Sequence, residues 1–512
     1  MDRREFLADL TRAAALCATV PNVWRVTNRP RFAEDPFVLG VASGDPTPTG
    51  GVLWTRLAPS PLEVGGGMRG MRTGVTWEVA EDDTFAKIVK TGRATAAPEL
   101  GHSVHVNVDG LAPDRWYFYR FSSGEARSDV GRLRTAPAPG AVSPLHFAVA
   151  SCQHWESGYY TAYQHMAREE LDLVAHLGDY IYEYGANLSA VRQHASPEIR
   201  TVDDYRGRYA QYKSDPALRA AHARCPWIVV WDDHEVDNNY AGLHGENDME
   251  SDEQMRTRRA AAYQAWWEHQ PVRVPRVQSW ADLSITRTVD WGGLTRFFMI
   301  DGRQFRTDQA CGDGSQIVPC GDWASPTRTM LGATQEKWLT TGLAASHARW
   351  QVIANQTMVA PFDTQVGDGM RFPMDSWSGY PAARDRMLNA VATHAPNRTV
   401  VITGDIHSNW VNELHDGFSR PDKRVVAAEF VGTSISSGGD GSDVNRATGP
   451  VGAENPHVKW QNSRRGYITC NVTPDAWTTE YRVVPFITRP DAPLQTPTRW
   501  RVTRTRPGIE AV

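Results

Sequence analysis

The sequence of 512 residues predicts an all-β sandwich followed by a larger layered α/β domain. Short runs that alternate between apolar and polar residues extend from Phe37 to about Pro137, and turn residues separate them, as between strands. From Leu145 onwards, apolar strands alternate with helical segments, which is typical of an α/β architecture. Polar residues that can bind metals follow several of the later strands, and they favour a site at the carboxyl edge of the sheet.

Residues 1–34 are predicted to form an export signal. Asp2-Arg3-Arg4-Glu5-Phe6-Leu7 resembles a twin-arginine motif, and a short apolar stretch from Ala13 to Val20 follows it. We therefore expect the twin-arginine export machinery to deliver a folded protein to the periplasm or the medium. The alternative is a frayed cytoplasmic N-terminus. No apolar run approaches the roughly 20 residues of a membrane helix, so no transmembrane segment is predicted.

Residues 35–140 are predicted to form the β-sandwich domain. A turn leads into an aromatic strand at Leu111–Tyr117, and this pattern resembles a fibronectin-like sandwich. The segment Ala136-Pro-Ala-Pro-Gly140 is typical of a linker to the next domain. Strands are predicted over 52–57, 75–79, 102–108 and 116–121.

Residues 141–490 are predicted to form the α/β domain, and residues 491–512 a C-terminal tail with no clear pattern. Strands are predicted over 145–150, 171–177, 227–231, 295–300, 350–354, 399–403, 425–431, 466–472 and 478–484. Helices are predicted over 159–170, 253–269 and 334–346.

Charge and cysteine content limit the functional classes. The formal net charge is -5 and no long run has one sign, so the sequence predicts no nucleic-acid-binding surface and favours a small-molecule partner. Cys311 and Cys320 share a Gly/Asp-rich loop and are expected to form a disulfide in an oxidising compartment. Cys225 and Cys470 lie in apolar runs and are expected to be core residues.

Polar groups come directly after four of the predicted strands. They are Cys152, Asp179, the run Asp232-Asp233-His234, and the run Asp405-Ile-His407. One such turn would be weak support, since strand-Gly-Asp turns are common. Thiol, carboxylate and imidazole groups gathered at one sheet edge form an ordinary set of metal ligands and are difficult to explain as core residues.

These motifs resemble those of a known family. Ala150-Ser-Cys152, Gly178-Asp-Tyr-Ile-Tyr182, Trp231-Asp-Asp-His-Glu235 and Gly404-Asp-Ile-His407 are similar to successive motifs of the PhoD-type alkaline phosphatases, which are binuclear metallophosphoesterases related to purple acid phosphatases. The resemblance covers about residues 37–484, including Val41-Ala-Ser-Gly-Asp45 in the leading sandwich. It implies a metallophosphoesterase domain with two β-sheets flanked by helices, and with the metals at the strand ends.

The resemblance also implies a set of ligands. Asp179 would bridge two metals, and Cys152, Tyr182 and His407 would complete the iron side. Asp233 and Asp405 would bind the second metal. This sequence has Asp232-Asp233-His234-Glu235 where relatives have Gly-Asn-His-Glu, so Asn239 is a competing ligand of the second site.

The chemistry of the ligands agrees with Fe3+ at one site and Ca2+ at the other. Holding Tyr182 as a phenolate at pH 7 costs roughly 4 kcal/mol unless a strong Lewis acid binds its oxygen, because the ordinary pKa of tyrosine is near 10. Iron(III) can do this and calcium cannot, whereas an all-oxygen site suits calcium. Considered alone, Cys152 and Tyr182 would be core residues. Only the full set of predicted ligands favours their interpretation as metal ligands.

Two residues are predicted to act on the substrate directly. His234 is expected to stabilise the transition state or protonate the leaving group, with Glu235 orienting it. Arg303 follows the strand at 295–300 and could hold a phosphate oxygen, the alternative being a solvated arginine or a helix-capping salt bridge. His154 either faces the substrate or has a structural role, and Arg306 is a weaker candidate.

The sequence therefore predicts an exported, metal-dependent phosphoesterase that hydrolyses phosphomonoesters and phosphodiesters with metal-activated water or hydroxide. One alternative is a phospholipase D-like phosphodiesterase that acts on phospholipid head groups. Another is a catalytically dead surface binding protein, which the intact ligand set argues against.

Overall fold

The structure is a computed structural model that describes residues 26, 30–68, 70–246, 249–418, 423–444 and 449–512. The predicted export signal lies almost entirely outside the described residues. Within them, no helix combines the length and the apolar character needed to cross a membrane.

The described chain contains twenty-four strands and seven α-helices, numbered in chain order. Strands β1 to β8 are Val41–Thr47, Gly50–Arg56, Thr73–Ala80, Ile88–Ala96, Ser103–Val108, Trp116–Ser123, Ala126–Arg127 and Gly131–Arg134. Strands β9 to β16 are Leu145–Ala150, Leu173–His176, Trp227–Val229, Arg287–Trp291, Thr295–Met299, Ser315–Val318, Trp350–Ala354 and Met370–Pro373. Strands β17 to β24 are Thr399–Thr403, Asn409–His415, Val425–Val431, Val458–Asn462, Arg465–Val472, Ala476–Val484, Arg499–Thr503 and Arg506–Ala511. Helices α1 to α7 are Thr161–Met166, Val202–Lys213, Pro216–Arg224, Asp252–His269, Gly332–Ala345, Pro381–His394 and Gly449–Glu454.

Two large sheets form the centre of the molecule. The first has ten strands in the order β24-β23-β22-β21-β9-β10-β11-β1-β2-β5, and the second has seven in the order β12-β13-β15-β17-β19-β18-β20. Aromatic side chains pack between the two sheets: the ring of Phe147 on β9 lies 5.3 Å from that of Phe297 on β13. Their buried apolar residues form one continuous cluster, so the core lies between the sheets.

Helices cover the outer faces of both sheets. On the first sheet, His222 of α3 stacks on Trp227 of β11, with ring centroids 3.9 Å apart. On the second, Trp338 of α5 packs edge-on against Phe298 of β13. The two sheets flanked by helices therefore agree with the predicted architecture of the larger domain.

Most of the predicted strands of this domain are present. Strands β9, β15, β17 and β19 have the predicted bounds, because continuous apolar runs mark strands that are buried on both faces. The helix predicted over 159–170 is shorter, since α1 covers only Thr161–Met166. The predicted disulfide between Cys311 and Cys320 is present, and Cys225 and Cys470 are buried free thiols, as predicted.

The N-terminal strands form two layers, but one layer is shared with the larger domain. Strands β3, β4, β6, β7 and β8 make a separate five-stranded sheet, whereas β1, β2 and β5 extend the ten-stranded sheet. Strand β1 pairs with β11 through Gly44 and Trp227. An added Cβ at Gly44 would collide with the carbonyl oxygens of Pro271 and Trp227, so only glycine permits this close approach. The predicted sandwich therefore shares a sheet with the α/β domain.

The expectation of a patternless C-terminal tail at 491–512 was wrong. Strands β23 and β24 form a hairpin that pairs with β22 and ends the ten-stranded sheet. Val502 is buried, and Trp500 and Ile509 pack against the core cluster. The arginines between these apolar residues obscured the alternation of inward and outward side chains in the sequence. Long charged side chains can occupy the outer face of an edge strand.

Candidate metal centre and active site

The predicted ligands converge where the carboxyl ends of four strands meet. Strands β9, β10 and β11 are parallel neighbours in the first sheet, and β17 belongs to the second. The backbone N–H of Cys152, after β9, donates to the carbonyl of Gly178, after β10. Gly404, after β17, lies against Ser151, where an added Cβ would meet the Ser151 hydroxyl. The strand ends of both sheets therefore face one site.

The backbone turns sharply at the ligands themselves. Cys152, Asp179, Asp405 and His407 have φ values of 58°, 54°, 65° and 53°, in the left-handed region that non-glycine residues seldom adopt. Each such residue costs about 1–3 kcal/mol, and such residues cluster at functional sites. The turns direct the four side chains into a common space.

The first donor group contains Cys152, Asp179, Tyr182 and His407. One ligand atom from each of Cys152, Asp179 and His407 lies within 4.8 Å of the others. The Tyr182 hydroxyl donates to Asp179 Oδ2 at 2.9 Å and lies 3.1 Å from His407 Nε2. The four predicted iron-side ligands are therefore in mutual contact range.

Burial keeps this donor group uncharged unless a cation is bound. Burial and the nearby Asp179 carboxylate raise the pKa of the Cys152 thiol and of the Tyr182 hydroxyl well above their usual values. Burial lowers the pKa of His407 to about 3, so its imidazole is neutral at pH 7. Neutral imidazole is the form that binds metals, whereas the thiol and the phenol must lose their protons to do so.

The second donor group consists of Asp232, Asp233 and Asp405, whose oxygens lie within 4.8 Å of one another. Asp179 also lies within this distance of Asp233 and His234. Asp179 therefore lies between the first donor group and Asp233 of the second, where a bridging ligand would lie.

Two oxygens of the two groups lack partners. Asp179 Oδ1 and Asp232 Oδ2 are buried without a hydrogen bond in the part of the chain that the structure describes. A buried carboxylate without compensation costs several kcal/mol. Burial raises the pKa of Asp179 and Asp405 well above the usual range, which reflects this cost. A bound cation would offset it, so the residues present fit a metal centre.

Arg303 lies inside the second donor group and is completely buried, with 0% exposure. Its guanidinium donates to Asp232, to both oxygens of Asp375 at 2.8 Å and to Asp405 at 3.1 Å, and it lies 3.4 Å from Asp233. Arg303 is therefore not a solvated arginine, and its ion pairs join carboxylates of the site and do not cap a helix. Contact with a phosphate oxygen would require Arg303 to leave one of these carboxylates.

Asn239 contacts the site through its backbone. Its N–H donates to Asp233 Oδ2 at 2.6 Å, whereas its side-chain amide donates to Asp313 at 2.6 Å. Of the two competing second-site ligands, Asp233 is the one whose side chain faces the donor group.

His234 is held by a carboxylate that the sequence motifs did not single out. Its Nδ1 lies 2.7 Å from Glu183 Oε2. Burial alone would lower the pKa of His234, but the carboxylates of Glu183, Asp233 and Asp179 outweigh it and raise this pKa well above the usual value. The ring of Tyr182 lies 4.0 Å away and covers one face of the imidazole. His234 is therefore oriented and charged when no metal is bound.

Glu235 does not orient His234, contrary to the expectation from the sequence. Its carboxylate accepts the backbone N–H groups of Asp179, Tyr180 and Asp232 at 3.0, 2.7 and 2.8 Å. It thereby joins the loop after β10 to the loop after β11, and it positions both through the backbone.

Comparisons with known proteins decide the family. The model of the PhoD-like phosphatase matches residues 147–481, and that of the PhoD-like phosphatase N-terminal domain matches residues 23–137. This chain belongs to the PhoD-like phosphatase family. It is 47% identical to alkaline phosphatase D of Bacillus subtilis (strain 168) over 522 aligned positions, which cover 100% of this chain and 89% of the relative.

Solved structures agree with this assignment. The PhoD-like phosphatase superposes on a solved structure of PhoD with a TM-score of 0.91 at 48% identity, covering 94% of this chain and 93% of the other. A purple acid phosphatase from yellow lupin seeds shares the fold, with a TM-score of 0.53 at 12% identity over 91% and 73% of the two chains. The protein is therefore a phosphoric ester hydrolase with a metallophosphoesterase fold, and its donor groups indicate metal cofactors.

Three residues of this PhoD-like phosphatase site were missed. Asp375 binds Arg303 and Arg306, but it follows a short irregular strand and no motif marks it. Ser437, 2.7 Å from the Tyr182 hydroxyl, lies in a Ser/Gly loop after β19, where strand position was the available signal. Glu183 follows Tyr182 directly, and its place at the end of a ligand motif could have identified it.

Proposed function

We propose that this PhoD-like phosphatase hydrolyses both phosphomonoesters and phosphodiesters at a centre of iron(III) and a second, harder cation such as calcium. The observation that carries the proposal is the position of Asp179, whose ligand atoms lie within 4.8 Å of Cys152 and His407 on one side and of Asp233 on the other. A carboxylate with one oxygen near Tyr182 and the other without a partner suits a bridge between two cations.

The donor atoms support a different cation on each side of Asp179. Iron(III) is acidic enough to displace the protons of the Cys152 thiol and the Tyr182 phenol, and the neutral imidazole of His407 can bind it through a lone pair. The oxygens of Asp233 and Asp405 suit a hard cation such as calcium.

The protein residues position the substrate and supply a proton. When bound, a pair of cations supplies Lewis-acid charge to the phosphate and to the attacking water. Glu183 holds His234 at Nδ1, which leaves Nε2 as the nitrogen that would protonate the leaving oxygen, and the Glu183 carboxylate favours the protonated imidazole. The Tyr182 ring keeps the imidazole in this orientation.

The substrate range follows from the cationic side chains. Arg303 and Arg306 both bind Asp375. Neither guanidinium is therefore free to bind the second negative charge of a phosphomonoester. Without that additional donor, the dianion of a monoester gains little over the monoanion of a diester. This supports hydrolysis of both classes.

Asp179→Asn tests the binuclear proposal. The amide cannot bridge two cations, so kcat/KM should fall by more than the 10- to 100-fold typical of residues that only orient a ligand. Metal analysis should show that the variant contains less iron and less of the second cation than the wild type. Asp290→Asn is the control, because Asp290 is exposed and its one ion pair among the described residues is with Arg296 on the neighbouring strand. Loss of one metal alone, or full activity on both ester classes, would contradict the proposal.

The proposal includes twin-arginine export to the periplasm or the medium, supported by the Arg3-Arg4 motif of the sequence. Replacing both arginines with lysine should retain the protein in the cytoplasm, which fractionation and immunoblotting would detect. Unchanged export of the double variant would exclude this route.

A further inference from the structure

A second group of metal-binding side chains lies beside the active site. It consists of His154, Glu156 and His194, each offering one ligand atom within 4.8 Å of the others. Glu156 Oε2 lies 3.6 Å from His194 Nδ1 and 4.0 Å from His154 Nε2. None of the three belongs to the two donor groups around Asp179.

The remaining polar atoms of these side chains are already bound. His154 Nδ1 lies 2.8 Å from the Ser157 hydroxyl, and His194 Nε2 lies 3.0 Å from the Tyr212 hydroxyl. Each imidazole thus has a partner for one nitrogen and turns the other toward Glu156. Metal-binding histidines almost always have such a partner on the nitrogen away from the metal.

The two carboxylate oxygens of Glu156 also make different contacts. Glu156 Oε1 accepts the backbone N–H groups of Asn187 and His194 at 2.8 and 2.9 Å, which fixes the side chain. Its other oxygen, Oε2, faces the two imidazoles. Each of the three side chains is therefore held in place by a contact through an atom other than its inward one.

One inward atom has no partner. His154 Nε2 is buried and makes no hydrogen bond to any residue that the structure describes. His194 Nδ1 lies 2.9 Å from the carbonyl oxygen of Tyr184, which can hold its proton when no cation is present. A cation between the three atoms would use the lone pair of His154 and would place the Tyr184 carbonyl near a fourth position.

We infer that His154, Glu156 and His194 form a zinc site distinct from the binuclear centre. Two imidazoles and one carboxylate are a common zinc set, and they favour zinc over calcium, which prefers oxygen ligands. Tetrahedral zinc with bonds of about 2.0–2.1 Å needs ligand atoms about 3.3 Å apart, so the observed spacings require only small side-chain movements.

The site is placed to fix one wall of the active site. The His154 ring lies 4.4 Å from the ring of Tyr182, and the backbone N–H of His154 donates to the Ser437 hydroxyl at 3.2 Å. Zinc bound to His154 would therefore hold the segment that follows Cys152 against the phenol.

Metal content of the purified full-length enzyme tests the inference. The enzyme would be loaded with iron, calcium and zinc, dialysed and measured by mass spectrometry. Wild type should retain one more zinc per chain than Glu156→Gln or His194→Asn, at equal iron content. His347→Asn is the control, because His347 is exposed on the loop after α5.

X-ray absorption at the zinc edge identifies the ligands. Wild type should show two imidazoles in the zinc shell. Glu156→Gln keeps an acceptor for the N–H groups of Asn187 and His194, so it should fold even if His194→Asn does not, and circular dichroism would check this. Equal zinc in wild type and Glu156→Gln, no retained zinc in wild type, or a zinc shell without two imidazoles would each overturn the inference.

Discussion

At the scale of single residues, the metal centre depends on the different surroundings of chemically similar groups. Asp179 has one oxygen bound by Tyr182 and one without a partner, whereas Asp405 is bound by Arg303 and partly open to solvent. Asp233 is held by the backbone of Asn239. Residue type and strand position predicted these carboxylates, but their individual partners depend on tertiary contacts that no local pattern records.

Among the predicted site residues, Arg303 is the one whose surroundings differ most from its expected role of binding a phosphate oxygen. Its donors face four carboxylates, so its removal leaves buried negative charge without compensation. Arg303→Ala should lower the free energy of unfolding by about 3–5 kcal/mol. It should also reduce kcat/KM to a similar degree for aryl monoesters and aryl diesters, because the damage is to the ligand cluster.

Parallel kinetics and denaturant unfolding would check this prediction. Arg134→Ala is the control, because Arg134 on β8 pairs with Asp114 and Asp172, which are not members of the donor groups; kcat/KM should be unchanged for both ester classes. A loss confined to monoesters would instead show that the guanidinium contacts the phosphate.

At the scale of the elements, the site is a product of strand ends and the loops that follow them. Runs such as Val400-Val-Ile-Thr403 were predictable because a buried parallel strand is apolar on both faces. The polar residue after each run was equally visible. Asp375 was not predictable, because it follows the short hairpin strand β16, whose sequence has no strand pattern.

Helices α2 and α3 were missed because tyrosines, arginines and short loops obscure their periodicity.

Glu235 joins two of these loops, and Glu235→Gln tests how far the loops depend on it. The amide has one acceptor oxygen, and its NH2 group would face at least one of the backbone N–H groups of Asp179, Tyr180 and Asp232. We expect a loss of about 1–3 kcal/mol in unfolding free energy. Metal affinity should fall about 10- to 100-fold, because the ligands lose their positions.

Glu429→Gln is a matched control for this variant. Glu429 is also fully buried and also accepts two backbone N–H groups, those of Val359 and Ala360, but it makes no contact with the ligands. It should lose similar stability and keep its metals. Equal metal loss in both variants would show that general destabilisation, and not loop position, controls metal binding.

At the scale of the whole molecule, the N-terminal strands and the catalytic sheets form one structure. Strand β1 lies between β2 and β11, Asp45 pairs with Arg287 at 2.9 Å, and the Trp54 indole donates to the carbonyl of Glu268 at 2.8 Å. The sequence predicted a boundary between the N-terminal strands and the catalytic domain at a Pro/Gly-rich linker. Composition marks where a chain bends, but it cannot show that strands on the two sides pair, because pairing of distant strands is set by the fold.

Gly44→Ala tests whether the two parts unfold together. The new methyl group would collide with the Pro271 and Trp227 carbonyls at the junction of β1 and β11, and overpacking of this kind costs about 1–3 kcal/mol. If the ten-stranded sheet is one cooperative unit, hydrogen exchange should become faster both in β5, on the N-terminal side, and in β10, on the catalytic side. Gly207→Ala is the control, because its methyl group on helix α2 would meet no atom within 4 Å and alanine favours the helix. Faster exchange in the N-terminal strands alone would mean that the shared sheet does not couple them to the active site. Faster exchange on both sides would make the N-terminal strands part of the scaffold that holds Asp179, since β10 leads directly into that residue.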